Sequence, residues 1–149
     1  MRKKKVVFLQ GAFDILTAGH VRAFKKAKAL GGTLIVALNT DSLLPKYKHR
    51  SPIIPYEERR AILSGIKYID KVVPISTFGC IKHLKKYKVD IYTITREWES
   101  THQMELGYMK KKGGQVVWFA PEMKTMCSSD IRKAVINLWK KQNLQKSRR

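Results

Sequence analysis

The chain has 149 residues, 44% of them hydrophobic, and carries 31 Lys and Arg against 11 Asp and Glu, a net charge of +20. That length suits one domain with a real core, and no apolar run approaches the roughly 18 residues that span a bilayer. The two cysteines, Cys80 and Cys127, lie far apart without CxxC spacing, which excludes a zinc motif and a disulfide framework and reads as two buried or half-buried thiols.

The start, Arg2-Lys3-Lys4-Lys5, is basic, but the apolar run Val6 to Leu9 is too short for a signal peptide and Gly11 to Asp14 interrupts it. A cytoplasmic protein is expected. Val6 to Leu9 reads as a buried strand, and Val21 to Leu30 as a helix with Val21, Phe24, Ala27 and Leu30 on one face. Leu34 to Leu38 is the second strand. Residues 40–55, with Pro45, Pro52 and Pro55, read as a loop before a helix over Tyr56 to Ile66. A strand at Lys71 to Ile75, a helix at Phe78 to Tyr87 and a strand at Asp90 to Ile94 follow. His102 to Lys112 is a helix ended by Gly113-Gly114, and Val116 to Phe119 a strand. Ser128 to Gln142 closes the domain as a helix, with Ile131, Val135, Leu138 and Trp139 expected inward, and residues 143–149 form a basic, frayed tail.

Strands alternating with helices predict an α/β fold, a Rossmann-like doubly wound parallel sheet of about five strands in three α/β/α layers. In such sheets ligands sit beyond the carboxyl ends of the strands, near the switch in strand order. The loops after Leu9, Leu38, Ile94 and Phe119 should therefore line the site.

The first of these loops is the most informative. A strand ends in Gln10-Gly11-Ala12-Phe13-Asp14 and the chain runs through Thr17-Ala18-Gly19-His20 into a helix. A glycine after the strand lets a phosphate approach the backbone. The helix N-terminus presents N–H groups and a positive dipole end. His20 can aim its ring at the same phosphate, and the Thr17 hydroxyl can cap the helix or bond a phosphate oxygen. Asp14 is read either as orienting His20 or as holding the loop. This is a phosphate cradle, distinct from a Walker loop and from a GxGxxG turn. At the other end of the chain, Ser128 and Ser129 open the last helix, which reads as an N-cap combined with an anion site.

The first segment resembles the GxFDxx(H/T)xGH signature of the cytidylyltransferase-like superfamily of nucleotidyltransferases, with Thr17 at the H/T position and His20 as the more diagnostic histidine. Met126-Cys127-Ser128-Ser129-Asp130-Ile131-Arg132 resembles that family's serine-rich motif, in which hydroxyls and amides hold a triphosphate; Cys127 replaces its first serine. Asn39-Thr40-Asp41, Lys46-Tyr47-Lys48, Ser51 to Arg59 and Tyr68 to Val73 resemble glycerol-3-phosphate cytidylyltransferases and heptose-phosphate adenylyltransferases. The resemblance implies nucleotide contacts from Gly11, Ala12, Phe13, Asp14, Thr17, Gly19, His20, Thr95, Ser128, Ser129 and Arg132. It implies catalytic roles for His20, Lys48 and Arg132, and acceptor contacts from Lys46, Arg59, Lys67 and Trp98. Lys67 stands where the glycerol-phosphate enzymes carry a second arginine, and keeps the charge without the two-pronged grip. Glu122 takes the place of an arginine before the serine motif. Thr95-Arg96 replaces a Gly-Asp near where the base is read, so ATP and CTP both stay open.

The implied reaction moves a nucleoside monophosphate, CMP or AMP, from a triphosphate to a phosphorylated sugar- or polyol-type acceptor and releases pyrophosphate. Mg²⁺ is expected to travel with the nucleotide. Members are often dimers, and the apolar helix face after Pro55 could serve there. His49, His83 and His102 stand singly, without metal-ligand spacing, and read as surface residues; Trp118 and Trp139 read as core. The rival reading is a non-catalytic anion- or RNA-binding protein on the same fold, motivated by the net charge.

Overall fold

The computed structural model describes residues 4–120 and 127–146, with the backbone alone at Lys48 and at residues 144–146. Its strands are β1 (Lys5–Gly11), β2 (Gly32–Asn39), β3 (Lys71–Ile75), β4 (Ile91–Thr95) and β5 (Gln115–Phe119). All pair in parallel, in the order β3-β2-β1-β4-β5. The helices are α1 (Ala18–Gly31), α2 (Leu44–Lys48), α3 (Tyr56–Ser64), α4 (Ile81–Lys86), α5 (Gln103–Lys111) and α6 (Ser128–Lys146), with a 3₁₀ turn at Arg96–Trp98.

Alternation along β1 and β2 divides the core between the two faces of the sheet, because successive strand residues point to opposite sides. Val7, Leu9, Leu34, Val36 and Leu38 pack with Phe24 and Ala27 of α1 and Leu63 of α3. Phe8, Ile35 and Ala37 pack on the other face with Leu84 of α4 and Met109 of α5. Helices on both faces force both faces of β2 to be apolar, and Leu34 to Leu38 are all buried. The α/β doubly wound reading holds.

Several local expectations change. The 40–55 loop contains α2, whose Pro45 sits in the first turn where no N–H is needed. Only Phe24 and Ala27 of the predicted α1 face are buried; Val21 and Leu30 lie at its exposed margins. The last helix continues to Lys146, and its predicted inward face is not covered: Val135 and Leu138 are 60% exposed and Trp139 63%. His102 is buried and not superficial; its ring packs against Phe78 and Trp98. Cys80 is buried, but Cys127 is exposed. Among the described residues, no helix is long and apolar enough to cross a membrane.

Candidate active site

Strand order reverses between β1 and β4, which opens a crevice beyond their carboxyl ends. The loop from Gly11 to Thr17 lies there. Phe13 takes a left-handed backbone, φ 48°, and folds its ring back over Gly11. A Cβ at Gly11 would stand 2.6 Å from that ring. Gly11 is thus required for the neighbouring phenylalanine, a reason the sequence reading did not contain. The Phe13 ring meets His20 edge-on at 5.6 Å and Phe24 at 5.2 Å, so Gly11, Phe13 and His20 form one packed series. Gly11→Ala is expected to push the ring aside, lower turnover by about tenfold or more through misplacement of His20, and destabilise by about 1–3 kcal/mol. Steady-state rates and urea unfolding check both effects.

Thr17 is the N-cap of α1, with extended backbone, and its N–H donates to His20 Nδ1 at 3.0 Å. Histidine here does what Glu or Gln does at the third position of a capping box. Because Nδ1 accepts this bond, the hydrogen-bond network assigns the proton of the neutral ring to Nε2. The Thr17 hydroxyl also lies 3.0 Å from Nδ1. Thr17 therefore orients the ring as well as capping the helix. Gly19 occupies the same first turn.

Asp14 settles into the second of its two readings. Its carboxylate is buried and accepts N–H bonds from Ile53 and Ile54 at 2.8 and 2.9 Å and from Arg50 at 3.0 Å. It holds the 50–54 loop. Arg132, reaching from α6, lies 3.7 Å from the same carboxylate. Burial pushes the Asp14 carboxyl up, but the bonds from Ile54, Arg50 and Ile53 outweigh it and leave the group below the usual 3.8. A pKa lower when folded than unfolded gives stability that is complete above the unfolded value and is lost as pH falls through the folded one. Asp14→Asn should therefore destabilise at pH 7, with its deficit against wild type shrinking below about pH 4. Melting temperatures of both proteins across pH 7 to 3 test this.

Arg59 is corrected. Its side chain is buried and its guanidinium is engaged within the protein: Nε donates to the Ile54 carbonyl at 2.8 Å, Nη1 to the carbonyls of Ala12 and Asn39, and Nη2 to Asp41 at 2.6 Å. It fastens three loops at the strand ends and positions the site instead of contacting an acceptor. The Ala12 carbonyl is one of the groups so engaged. Lys67 is also corrected. It follows α3 and lies three residues before Asp70, which bonds the backbone of Leu34 near the start of β2. This is the edge of the sheet opposite the crevice, so within one chain Lys67 is remote from the site.

Lys46 and Trp98 lie beside the same two rings, Tyr47 and Phe78. Lys46 lines a cavity of about 410 Å³ with Leu43, Tyr47, Ser76, Thr77 and Phe78. Trp98 packs edge-on against both Tyr47 and Phe78, at 5.8 and 5.9 Å. Beneath them Gln10, at the end of β1, donates to Asn39 and to the Phe78 carbonyl, and Asn39 donates to the Tyr47 hydroxyl. The sequence reading gives Phe78, Gln10 and Arg50 no role at the site; Gln10 lies at the end of β1, and the other two lie on the connections that follow β3 and β2.

Ser128 donates to the Ile15 carbonyl at 2.7 Å and so ties the start of α6 to the loop containing Phe13 and Asp14. Ser129 is exposed beside Cys127, and Asp130 caps the helix through the Cys127 N–H. Thr95, at the end of β4, bonds Glu97. The side chain of Lys48 and all of Glu122 lie outside the described residues.

The site thus joins a helix N-terminus, a donor imidazole, an arginine and serines at a strand-order switch. The Cytidylyltransferase-like family profile matches residues 8–134, which include every element of it. The chain belongs to the cytidylyltransferase-like family. It is 33% identical over 109 residues to the glycerol-3-phosphate cytidylyltransferase of Staphylococcus aureus (strain NCTC 8325 / PS 47), covering 72% of this chain and 79% of that one. It is 40% identical over 90 residues to the bifunctional protein HldE of Campylobacter concisus (strain 13826), covering 60% of this chain but 19% of that protein. The fold matches the crystal structure of the lipopolysaccharide core biosynthesis protein from Thermoplasma volcanium GSS1 with a TM-score of 0.67 and 27% identity, over 79% of this chain and 98% of that one. As a member of the cytidylyltransferase-like family, the chain is a nucleotidyltransferase.

Proposed function

We propose that this nucleotidyltransferase moves CMP or AMP from the corresponding triphosphate to a phosphorylated polyol or sugar. The observation that carries the reading is His20, whose Nδ1 accepts the Thr17 N–H, in the first turn of α1 at the β1/β4 crevice. An acceptor phosphate oxygen attacks the α-phosphorus in line, the bond to the bridging oxygen breaks, and pyrophosphate leaves with that electron pair. A phosphate monoester is already anionic, so position and charge stabilisation suffice. His20 Nε2–H donates to an α-phosphate oxygen. Arg132, the Ser129 hydroxyl and the backbone N–H groups that open α6 hold the β- and γ-phosphates there, assisted by Lys48, while Ser128 keeps that helix start tied to Ile15. The cavity lined by Lys46 and bordered by the aromatic wall of Tyr47, Phe78 and Trp98 receives the acceptor, with Lys46 on its phosphate.

The donor set suits a metal brought by the nucleotide. Both Asp14 oxygens accept internal hydrogen bonds, and among the described residues no three His, Cys, Asp or Glu side chains assemble a cation site. Mg²⁺ bound to the triphosphate would supply further neutralisation of phosphate charge. The test is a pyrophosphate-release screen of ATP, CTP, GTP and UTP against phosphorylated polyols and sugars. Release with one pair well above the blanks is expected. Folded protein that gives none with any pair overturns the assignment.

A further inference from the structure

Part of the charge that the transfer site does not use lies at the other pole of the molecule. α4 and α5 both finish at the edge of the sheet where β3, β4 and β5 begin, and each ends in lysines. Their side chains form a pattern rather than a scatter. The Tyr87 ring is flanked by Lys71, at the start of β3, and Lys86, with ammonium groups 5.2 and 5.6 Å from its centre. The Tyr108 ring is flanked by Lys85 and Lys112 at 5.5 and 5.9 Å. Lys85 of α4 thereby reaches across to α5, and the two units join into one surface.

Lys88 extends it. It holds a left-handed backbone, φ 49°, at the position after a helix that glycine usually fills. That conformation is strained for a residue with a Cβ, and a strained residue is a pointer to function. Here it keeps a cation at the tip of α4. The acidic residues of the same edge are already engaged: Asp90 accepts the Val6 N–H, and Asp70 pairs with Lys28.

We infer that this lysine–tyrosine surface binds single-stranded nucleic acid, apart from the nucleotide site. Lysines meet successive phosphates as point charges, and the exposed part of each half-buried tyrosine ring, beside the lysines that flank it, offers a surface against which a base can rest. None of the exposed large hydrophobic residues falls on α4 or on the last turn of α5. A protein interface would need an apolar centre and a membrane surface an apolar group to insert, and the described residues of this pole offer neither. The inference does not depend on which acceptor the enzyme uses, nor on its turnover.

The test is fluorescence anisotropy of the full chain with a labelled 20-nucleotide oligouridylate over a salt series, with and without saturating ATP and CTP. Binding that weakens steeply with salt and that neither nucleotide displaces is expected. K85Q/K86Q/K88Q should weaken it at least about tenfold at 0.1 M salt and reduce the salt slope by about 2, and K85R/K86R/K88R should restore it. K71Q, on a separate element, should lower the slope by about 0.7, so a folding defect in the triple variant would not hide the result. Affinity unchanged in the glutamine variants, displacement by ATP or CTP, or tighter binding to phosphatidylserine vesicles at equal salt would each overturn the inference.

Discussion

His20→Ala is expected to reduce the maximal rate of pyrophosphate release by two to three orders of magnitude while leaving the fold nearly intact. Removing one pre-aimed donor to developing phosphate charge typically has an effect of about 10²–10³ in rate. The ring is already held by the Thr17 N–H on Nδ1 and by the edge of Phe13, so the enzyme gives up little freedom when Nε2–H meets the phosphate. The structural role of the ring is small. Losing the reciprocal cap leaves the Thr17 N–H at a half-exposed helix end, at a cost of about 1 kcal/mol. His20→Gln keeps a side-chain oxygen able to accept from Thr17 but cannot reproduce the ring's two-ended geometry, and should recover stability without recovering rate. Turnover like wild type in His20→Ala would remove histidine from the mechanism, whatever the unfolding curves show.

Arg59→Ala is expected to be the most damaging single change to the fold. Arg59 is 1% exposed, and the change takes a donor from the carbonyls of Ile54, Ala12 and Asn39 and from the Asp41 carboxylate, which keeps the Tyr56 N–H. Leaving buried acceptors unpaired costs about 1–3 kcal/mol each, so a loss of about 3–5 kcal/mol is expected, which lowers the melting temperature by roughly 10 °C in a domain of this size. Arg59→Lys should recover little of this, because one ammonium cannot reach three loops in a fixed fork. Urea unfolding of both variants measures the loss. The same pair separates the two roles suggested for this residue. If Arg59 gripped the acceptor, the lysine variant would keep stability and raise KM for the acceptor; as a fastener of the strand-end loops, it loses stability first and activity through it.

The two variants also show why one residue was legible in the sequence and the other was not. His20 is defined by neighbours along the chain: a strand end at Gly11, an N-cap at Thr17 and a helix start at Ala18 lie within ten residues. Helix ends, caps and strand alternation are short-range physics, so the five strands, the helix stop at Gly113 with its φ of 72° and the placement of the serine motif at a helix start all follow from local pattern. The net charge is likewise a property of composition, and with it the attraction to polyanions.

Tertiary structure decided what depends on partners distant in the chain. Arg59 reads as a phosphate ligand until Ala12, Asn39, Asp41 and Ile54 are seen closing on it. Lys67 reads as an acceptor contact until α3, nine residues long, is seen carrying the chain to the far edge of the sheet. The apolar stripe of α6 looks like core by periodicity, but periodicity states only that one face is apolar, not that anything covers it, and Val135, Leu138 and Trp139 stand exposed. Asp14 could have faced either way until the backbone N–H groups of Ile53 and Ile54 fixed it to the loop. Sequence sets the local geometry and the charge each segment brings; which charges meet, and which are left for a ligand, is settled only when the strand ends converge.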